Sequence, residues 1–270
     1  MQPDLQSYQA ILFDIDNTLT NSNREISPRV ARALQMLDGR GITIGVCTAR
    51  DRAAFASYAS QFFPQKALHV LSNGAQIMRG SGEVLEQHLI PEKTIQTVCT
   101  VLLQQKAEII VTGAKYVYAT PEIYSNIQHH PWHIPVKPLV QLEDWVATAI
   151  VVYKLTPQSV SVIKEQPGIS FIHYDKGVHQ NIDIMAAGVN KGTGVKQWSN
   201  HTSIPPENII GIGDGQNDFE FLRTVGYSVA MGNAHPEIKQ QADKVIGHTD
   251  EDGLALFLEE VLDAYIQSTK

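Results

Sequence analysis

The sequence predicts an α/β protein with a doubly wound parallel-sheet core, into which a smaller α+β domain is inserted. Three observations support this prediction. Short apolar segments alternate with amphipathic helices between residues 10 and 72, and the same alternation returns from Lys191 onward. Between these regions the pattern changes to pairs of strands, each pair with a helix. The length of 270 residues suits two modest domains, and we assign residues 1–82 and 186–270 to the core and residues 83–185 to the insertion.

The first part of the core begins with a strand, a helix and a second strand. AILFD at residues 10–14 is a short apolar run, typical of a strand that is buried on both faces. Ser27 followed by proline predicts a helix start, because serine caps helix N-termini and proline fits the first turn. ITIGVCT (42–48) and HVLS (69–72) predict two more strands, with a helix from about residue 51 between them. This order favours a parallel sheet with right-handed crossovers.

The middle of the chain has a different pattern. EVLEQHLI at residues 83–90 predicts one strand of a hairpin, and a helix opened by Pro91 follows it. EIIVTG and KYVYAT predict two paired strands, whereas residues 121–145 carry no clear pattern. A strand, a helix and two further strands then lead to residue 186. Antiparallel pairs with single helices indicate a separate α+β domain.

The core pattern resumes at Lys191, where a helix starts. NIIGIG (208–213) predicts a buried strand, after which three helices alternate with two short strands. The last helix is the amphipathic DGLALFLEEVLDAYI, residues 252–266. These C-terminal strands are expected to complete the sheet that the N-terminal strands begin.

Charge and cysteine content restrict the classes of function. The formal net charge is −7 with no basic block, which argues against nucleic acid or an anionic membrane as the main partner. We find no signal-peptide pattern and no apolar run near the ~20 residues that span a bilayer. Cys47 and Cys99 are far apart in apolar stretches and are expected to be buried reduced thiols. The sequence therefore predicts a cytoplasmic protein and leaves its oligomeric state open.

Two acidic clusters follow predicted buried strands. Asp14 and Asp16 end the first strand, and GDGQND at residues 213–218 closes NIIGIG. Taken alone, the first pair is more typical of acids that cap a turn. Ligands of open α/β sheets bind beyond the carboxyl ends of the strands, however, and two acidic loops in one crevice repel each other unless a hard cation lies between them. Oxygen ligands favour Mg²⁺ as that cation.

Two further residues suit a phosphate group. Thr48 ends the second strand, where its hydroxyl and the following backbone N–H are available to phosphate. Lys191 precedes Gly192 at a helix start and supplies a positive charge to a phosphate and to the acids.

Four segments that contain the candidate site residues follow one another along the chain: FDIDNT, VCTAR, Lys191-Gly192 and GDGQND. They resemble the four motifs of the haloacid dehalogenase superfamily, whose core is Rossmann-like. The insertion between the second and third motifs resembles the large α/β (C2-type) cap of the Cof-type branch, and SNGA (72–75) and the segment MGNAHPEIKQQADKVIGHTDEDGLA are similar to that branch as well. The resemblance covers the core at both ends, whereas the cap matches only in pattern.

The resemblance implies a Mg²⁺-dependent phosphatase that acts on a small phosphorylated molecule through an aspartyl-phosphate. Asp14 would be the nucleophile, and Asp16 would protonate the leaving oxygen and then activate water. Asp14, the backbone carbonyl of Asp16 and Asp214 would hold Mg²⁺. The supporting residues would be Asn217 and Asp218.

The resemblance also implies where the substrate binds. The residues expected to contact phosphate or substrate are Thr48, Ala49, Arg50, Asn73, Gly74 and Lys191. For Arg50, capping of its helix is an equal alternative. The family pattern has glycine where this chain has Asn17 and Ala49; asparagine tolerates left-handed backbone angles, so the first loop should keep its shape.

Two other functions remain open at this point. A phosphomutase uses the same nucleophile, and a receiver-like phospho-switch shares a phosphorylated aspartate, a threonine, a lysine and Mg²⁺. Asp16 and the large insertion argue against the switch. The substrate itself, a sugar phosphate or a phosphorylated cofactor, is not identified by the sequence.

Overall fold

The computed structural model describes residues 4–128, 135–174 and 180–267. In chain order, its strands and α-helices are β1 (Ala10–Phe13), α1 (Pro28–Gly39), β2 (Thr43–Val46), α2 (Arg52–Phe62), β3 (Leu68–Leu71), β4 (Gln76–Arg79), β5 (Val84–Gln87), α3 (Glu92–Gln104), β6 (Glu108–Gly113), β7 (Val117–Ala119), α4 (Pro121–Ile127), β8 (Val136–Pro138), β9 (Ala147–Tyr153), α5 (Pro157–Glu165), β10 (Ile169–Tyr174), β11 (Asn181–Ala186), α6 (Lys191–Thr202), β12 (Ile209–Gly213), α7 (Phe219–Thr224), β13 (Tyr227–Ala230), α8 (Pro236–Gln241), β14 (Lys244–Val245) and α9 (Gly253–Gln267).

The central sheet has five parallel strands in the order β14-β13-β12-β1-β2. The chain builds outward from β1 in one direction to β2, and in the other direction through β12 to β14. The boundary between β1 and β12 is therefore a topological switch point, where a crevice opens beyond the carboxyl ends of the strands. Phe13 is in register with Ile212 on one side and with Val46 on the other. The residues that follow these three strands consequently meet at one edge.

The core helices follow the spacing that the sequence predicts. Ser27 caps α1, since its Oγ accepts the N–H of Val30 at 3.2 Å. The buried face of α1 consists of Val30, Ala33, Leu34 and Leu37. Helix α1 packs against α9, and α6 packs against α7. All four residues of β1 are buried, as expected for a strand that is covered on both faces.

Strand β3 differs from the prediction of a third strand in the parallel sheet. It pairs antiparallel with β4, and β5 completes a separate three-stranded sheet. A parallel bridge between Cys47 and Val70 joins β3 to the end of β2. Beside this bridge, the Val46 N–H donates to His69 Nδ1 at 3.3 Å instead of to a backbone carbonyl of β3.

The ring of His69 is wholly buried between Phe55 and Phe63, with ring centroids 4.6 and 5.0 Å away. Burial lowers the pKa of His69 to about 3 from an ordinary value of 6.5. Between these two values the unfolded chain binds a proton that the folded chain does not. Above about pH 6.5 this difference in proton binding hardly changes the free energy of unfolding. As the pH falls below that value, proton uptake by the unfolded chain lowers the free energy of unfolding.

We expect the change His69→Phe to reduce the acid sensitivity of the fold. From pH 7 to pH 5 the wild type should lose about 2 kcal/mol more unfolding free energy than the variant, a consequence of the proton taken up by the unfolded histidine. Urea unfolding of both proteins at the two pH values measures this difference. The unpaired Val46 N–H of the variant lowers stability equally at both pH values and cancels. Equal losses in the two proteins would contradict the assignment.

The middle of the chain forms a mixed sheet of six strands in the order β10-β11-β9-β6-β7-β8. Its pairings are antiparallel except for β7 with β8. Helices α3 and α5 pack together, and their apolar side chains join a second hydrophobic cluster with this sheet. Helix α4 and strand β8 lie in the stretch for which the sequence shows no clear pattern. Strand β5 pairs with β4, so the chain leaves the core-side sheet after Gln87.

The division into a core and an insertion of residues 83–185 stays a prediction. Cys47 and Cys99 are both buried free thiols, as expected. Across the part of the chain that the structure describes, every helix is too short or too polar to span a bilayer.

Candidate active site

The predicted acidic residues meet at the edge of the central sheet. Asp14 follows β1, and its backbone N–H donates to the carbonyl of Ile212 at 2.8 Å. The pairing of β1 with β12 therefore extends one residue past β1 and brings Asp14 beside the loop that contains Asp214. Thr48 follows β2, and its N–H donates to the carbonyl of Val70 at 2.9 Å.

Lys191 lies at the centre of this edge and is fully buried. Its Nζ donates to Asp14 Oδ1 at 2.7 Å and to Asp218 Oδ1 at 2.6 Å. Burial alone would lower the pKa of Lys191, but the charges of Asp14 and Asp218 outweigh burial and raise it. The position is fixed by the helix start, where Asn190 Oδ1 accepts the N–H of Thr193 at 2.9 Å. A permanent positive charge thus separates two carboxylates.

Asp218 closes the second acidic loop. Its Oδ2 accepts the backbone N–H groups of Asp214 and Gly215, each at 2.9 Å. The loop is tight, because a Cβ atom on Gly213 would lie 2.6 Å from Asp218 Oδ2. Glycine is therefore required at position 213 for the carboxylate to reach those donors.

The remaining carboxylate oxygens suit a hard cation. Ligand oxygens of Asp14, Asp214 and Asp218 lie within 4.8 Å of one another. Asp218 already accepts bonds on both oxygens, and Asp214 Oδ1 accepts from Thr18 Oγ1 at 2.8 Å. Within the described ranges, Asp14 Oδ2 and Asp214 Oδ2 accept no hydrogen bond. They are thus available to a divalent ion that prefers oxygen ligands.

The charge balance of the cluster also favours a bound divalent cation. Burial raises the pKa of Asp14 to about 7, since the attraction of Lys191 only partly opposes burial and the nearby carboxylates of Asp218 and Asp16. Burial also raises the pKa of Asp214 well above its usual range, helped by the charges of Asp14 and Asp218. The cluster carries more negative charge than Lys191 compensates. A bound Mg²⁺ ion would supply the missing positive charge.

The carboxylate of Asp16 pairs with a different cation, Arg50. Arg50 Nε and Nη2 donate to its two oxygens at 2.8 and 2.7 Å, which is a bidentate ion pair. Arg50 is buried and lies over the ring of Tyr58, 4.8 Å from its centroid. The N-cap of α2 is Asp51, which accepts from the second and third residues after it. The two acids of the first cluster therefore point to different partners.

The two departures from the family pattern are accommodated. Asn17 has φ of 59°, and its carbonyl accepts from Asn233 Nδ2 at 2.7 Å, so asparagine occupies a left-handed position as expected. Ala49 is exposed at the start of the loop before α2.

Gly74 has φ of 99°, and a Cβ atom there would lie 2.1 Å from the carbonyl of Asn190. Gly74 thus allows close contact between the turn after β3 and the start of α6.

Three residues of the six-stranded sheet approach the site without having been predicted. Asp183 in β11 is buried and accepts from Asn73 Nδ2 at 3.0 Å. Asn181 Nδ2 and the Tyr174 hydroxyl donate to the same carboxylate at 2.8 and 3.4 Å. Burial raises the pKa of Tyr174 well above its usual value, with contributions from Asp183, Asp218 and Asp14. A single acid between two isoleucines in a buried strand was the signal in the sequence.

A groove of about 590 Å³ opens between α2 and the turn that joins β6 to β7. Arg52 lines it from the core side, and Lys115 and Tyr116 line it from the six-stranded sheet. Among the described residues, neither Arg52 nor Lys115 forms an ion pair. The lining includes Asp51, which directly follows Arg50, and the groove is large enough for a small metabolite.

Comparison with known proteins gives the class of this enzyme. Residues 11–258 match the sequence model of the haloacid dehalogenase-like hydrolases, so the chain belongs to that family. A structure of a haloacid dehalogenase-like hydrolase from Bacteroides thetaiotaomicron superposes with a TM-score of 0.81 at 21% identity and covers 94% of this chain and 99% of that one. The predicted fold class is confirmed.

Relatives identify the kind of hydrolase. A putative phosphatase of Haemophilus influenzae is 31% identical over 268 residues, which cover 94% of this chain and 98% of the relative. A 5-amino-6-(5-phospho-D-ribitylamino)uracil phosphatase of Bacillus subtilis is 24% identical over 91% of this chain and 92% of its own length. The protein is a phosphatase of the Cof-type branch, as the sequence motifs predict.

Proposed function

We propose that the protein hydrolyses a small phosphomonoester with Mg²⁺ and that Asp14 forms an aspartyl-phosphate. The observation that carries this proposal is Lys191, which bridges Asp14 and Asp218 beside Asp214 at the switch point of the sheet. Lysine keeps Asp14 oriented by one oxygen and compensates one negative charge. A phosphoryl group that enters beside it meets a nucleophile and a cation together.

The first step would transfer the phosphoryl group to the protein. A carboxylate oxygen of Asp14 bonds to phosphorus, the bond between phosphorus and the alcohol oxygen breaks, and Asp16 gives its proton to that oxygen. Thr48 and Lys191 would bind the other phosphoryl oxygens. Asp16 is accessible to a substrate, because its carboxylate is half-exposed, and Arg50 holds it in one orientation.

The second step would release phosphate. Asp16, now ionised, takes a proton from water; the water oxygen bonds to phosphorus, and the bond to Asp14 breaks. Asp14 and Asp214, with the carbonyl of Asp16, would hold Mg²⁺, which when bound neutralises charge on the phosphoryl group. The acidic loop would be kept in place by Asp218 and Asn217.

A panel of phosphorylated metabolites, assayed for released phosphate with Mg²⁺, tests this function. The panel includes sugar phosphates, pyridoxal phosphate, flavin mononucleotide and 5-amino-6-(5-phospho-D-ribitylamino)uracil, the compound named for the Bacillus subtilis relative. We expect at least one kcat/KM value above about 10⁴ M⁻¹s⁻¹, the lower end for natural enzyme–substrate pairs. Transfer of phosphate to an acceptor without release would instead indicate a mutase.

Removal of Mg²⁺ should abolish phosphate release, and its return should restore it. The change Asp214→Ala should raise the Mg²⁺ concentration needed for half-maximal rate by at least about 10-fold, because one of two available carboxylate ligands is lost. Titration of the rate against Mg²⁺, with calorimetric binding in parallel, measures this. Asp243→Asn, which changes a carboxylate bound to Ser228, is the control. Full activity after chelation, with no metal by elemental analysis, would exclude the proposed role of Mg²⁺.

Residues 83–185 are proposed to act as a mobile cap that carries substrate selectivity, while the core supplies the chemistry. Arg52 lines the groove described above from α2, and Lys115 lines it from the turn between β6 and β7. Their positive charges favour a leaving group with negative charge. The acidic composition and the two buried thiols support a cytoplasmic location.

The changes Lys115→Ala and Arg52→Ala should therefore act selectively. We expect kcat/KM to fall by about 5- to 10-fold for substrates whose leaving group is anionic, the size of one partly exposed charged contact, and to change little for neutral sugar phosphates. Lys164→Ala, an exposed lysine of α5 outside the groove, is the matched control. Equal losses for all substrates would contradict a role in selectivity.

A further inference from the structure

A chain of hydrogen bonds joins the six-stranded sheet to the acidic loop of the core. Asp183 Oδ2 accepts from Asn73 Nδ2 at 3.0 Å, and Asn73 Oδ1 accepts from Asn217 Nδ2 at 3.1 Å. Only 7% of Asp183 and 2% of Asn73 are exposed to solvent. The three residues come from three separate parts of the sequence, so this chain is a tertiary contact and not a local turn.

Asp183 determines which groups donate and which accept along this chain of hydrogen bonds. Its carboxylate can only accept hydrogen bonds when ionised, and it has donors in Asn73, Asn181 and Tyr174. Burial raises the pKa of Asp183 to about 6 and the three donors oppose that rise, so the carboxylate is mostly ionised at pH 7 and above. Asn73 must therefore present Nδ2 to Asp183 and Oδ1 to Asn217.

Asn73 is itself held by the phosphate side of the site. Its backbone N–H donates to the carbonyl of Thr48 at 3.0 Å, and its φ of 53° is left-handed. Asn217 in turn folds over the acidic loop, since a Cβ atom on Gly215 would lie 2.7 Å from Asn217 Oδ1. The side chains between Asp183 and the loop thus have one orientation each.

We propose that Asp183 is a positioning residue, which acts through Asn73 and Asn217 to hold the loop of residues 214–218 in the geometry that binds a divalent cation. This inference rests on the proposed function for the role of the cation. It gives the six-stranded sheet a part in organising the site at the edge of the central sheet. The loop carries Asp214, so a change of loop position changes the distance between the two available carboxylates.

The orientation argument predicts that an exchange of groups restores what single changes destroy. In Asp183→Asn, the new amide directs an N–H group at one of the donors Asn73, Asn181 or Tyr174, and the chain loses its polarity. In Asn73→Asp, two carboxylates meet at the distance of the present 3.0 Å hydrogen bond. In the double variant Asn73→Asp/Asp183→Asn, the amide at position 183 donates to the carboxylate at position 73, which still accepts from Asn217.

The first measurement is calorimetric Mg²⁺ binding to the full-length wild type and these three variants. We expect the dissociation constant to rise about 10-fold in each single variant, the lower end of the effect of outer-shell groups on metal affinity, and to return within about threefold of wild type in the double variant. Asp243→Asn is the control, because it makes the same chemical change at a carboxylate that accepts two hydrogen bonds from Ser228, away from the site. Equal Mg²⁺ affinity in wild type and Asp183→Asn, both folded by circular dichroism, would overturn the proposal.

The second measurement is amide hydrogen exchange of the peptide that contains residues 214–218, recorded without metal. Exchange should be at least about fivefold faster in Asp183→Asn and normal in the double variant, since the hydrogen bonds from Asp183 to Asn217 are expected to limit opening of the loop. This separates the inference from the proposed function: a wild type that binds no Mg²⁺ refutes the function, whereas exchange unaffected by Asp183→Asn refutes the positioning role. Exchange as slow as in the wild type in both Asp183→Asn and Asn73→Asp would also refute the positioning role.

Discussion

The change Asp14→Asn is expected to lower phosphate release by at least about 10⁴-fold, the scale seen when an enzyme loses its nucleophile. An amide does not form the acyl-phosphate that the mechanism requires. The fold should persist, because the side-chain oxygen of asparagine still accepts from Lys191 Nζ, which now lies 2.7 Å from Asp14 Oδ1. Stability should even rise slightly, since burial raises the pKa of Asp14 and the variant removes one charge from an acidic cluster.

Three measurements check this expectation together. Released phosphate gives the loss of turnover, and urea unfolding shows whether the fold is kept. Acid quenching after a short incubation with substrate labelled on phosphorus should trap labelled protein in the wild type and none in the variant. Asp243→Asn should behave like the wild type in all three assays. Phosphate release at the wild-type rate by purified, metal-loaded Asp14→Asn would remove Asp14 as the nucleophile.

The meeting of Asp14 with the second acidic cluster could be predicted from the sequence, because both follow buried strands that were expected to belong to one parallel sheet. Apolar runs identify β1 and β12, and residues that follow parallel neighbours share one edge. The same logic placed Thr48 at that edge. The helix start at Lys191 was equally visible. Short-range patterns and one topological rule were sufficient for this part of the site.

Contacts made by side chains across the fold could not be predicted in this way. The pairing of Arg50 with Asp16 depends on the path of the loop before α2, and His69 accepts the Val46 N–H through a ring nitrogen that no pattern reveals. Strand β8 was missed because it has three residues and pairs with an equally short β7. Asp183 was not predicted: it is an acid in an apolar strand, but its partner Asn73 is 110 positions away.

Lys191→Met should produce the largest loss of stability of any single change considered for this site. Methionine fills much of the same volume but leaves Asp14 and Asp218 buried without their shared cation. Loss of one partner of a buried ion pair costs about 3–5 kcal/mol. The loss should become smaller as the pH falls from 8 to 5, because the pKa of Asp14, already raised by burial, rises further without the opposing charge of Lys191, and the protonated group is neutral.

Saturating Mg²⁺ should also reduce the loss, since the ion replaces part of the missing charge near Asp14 and Asp214. Urea unfolding at both pH values, with and without Mg²⁺, measures each effect, and phosphate release should fall by at least about 10³-fold because the phosphoryl group loses a charged partner. Lys244→Met is the matched control: Lys244 pairs with Glu260 at 2.6 Å on the surface, where an ion pair contributes less than about 1 kcal/mol. If Lys191→Met were no more destabilising than Lys244→Met, Lys191 would not be the cation that holds the buried carboxylates together, and the charge balance on which the proposed site depends would have to be assigned to another group.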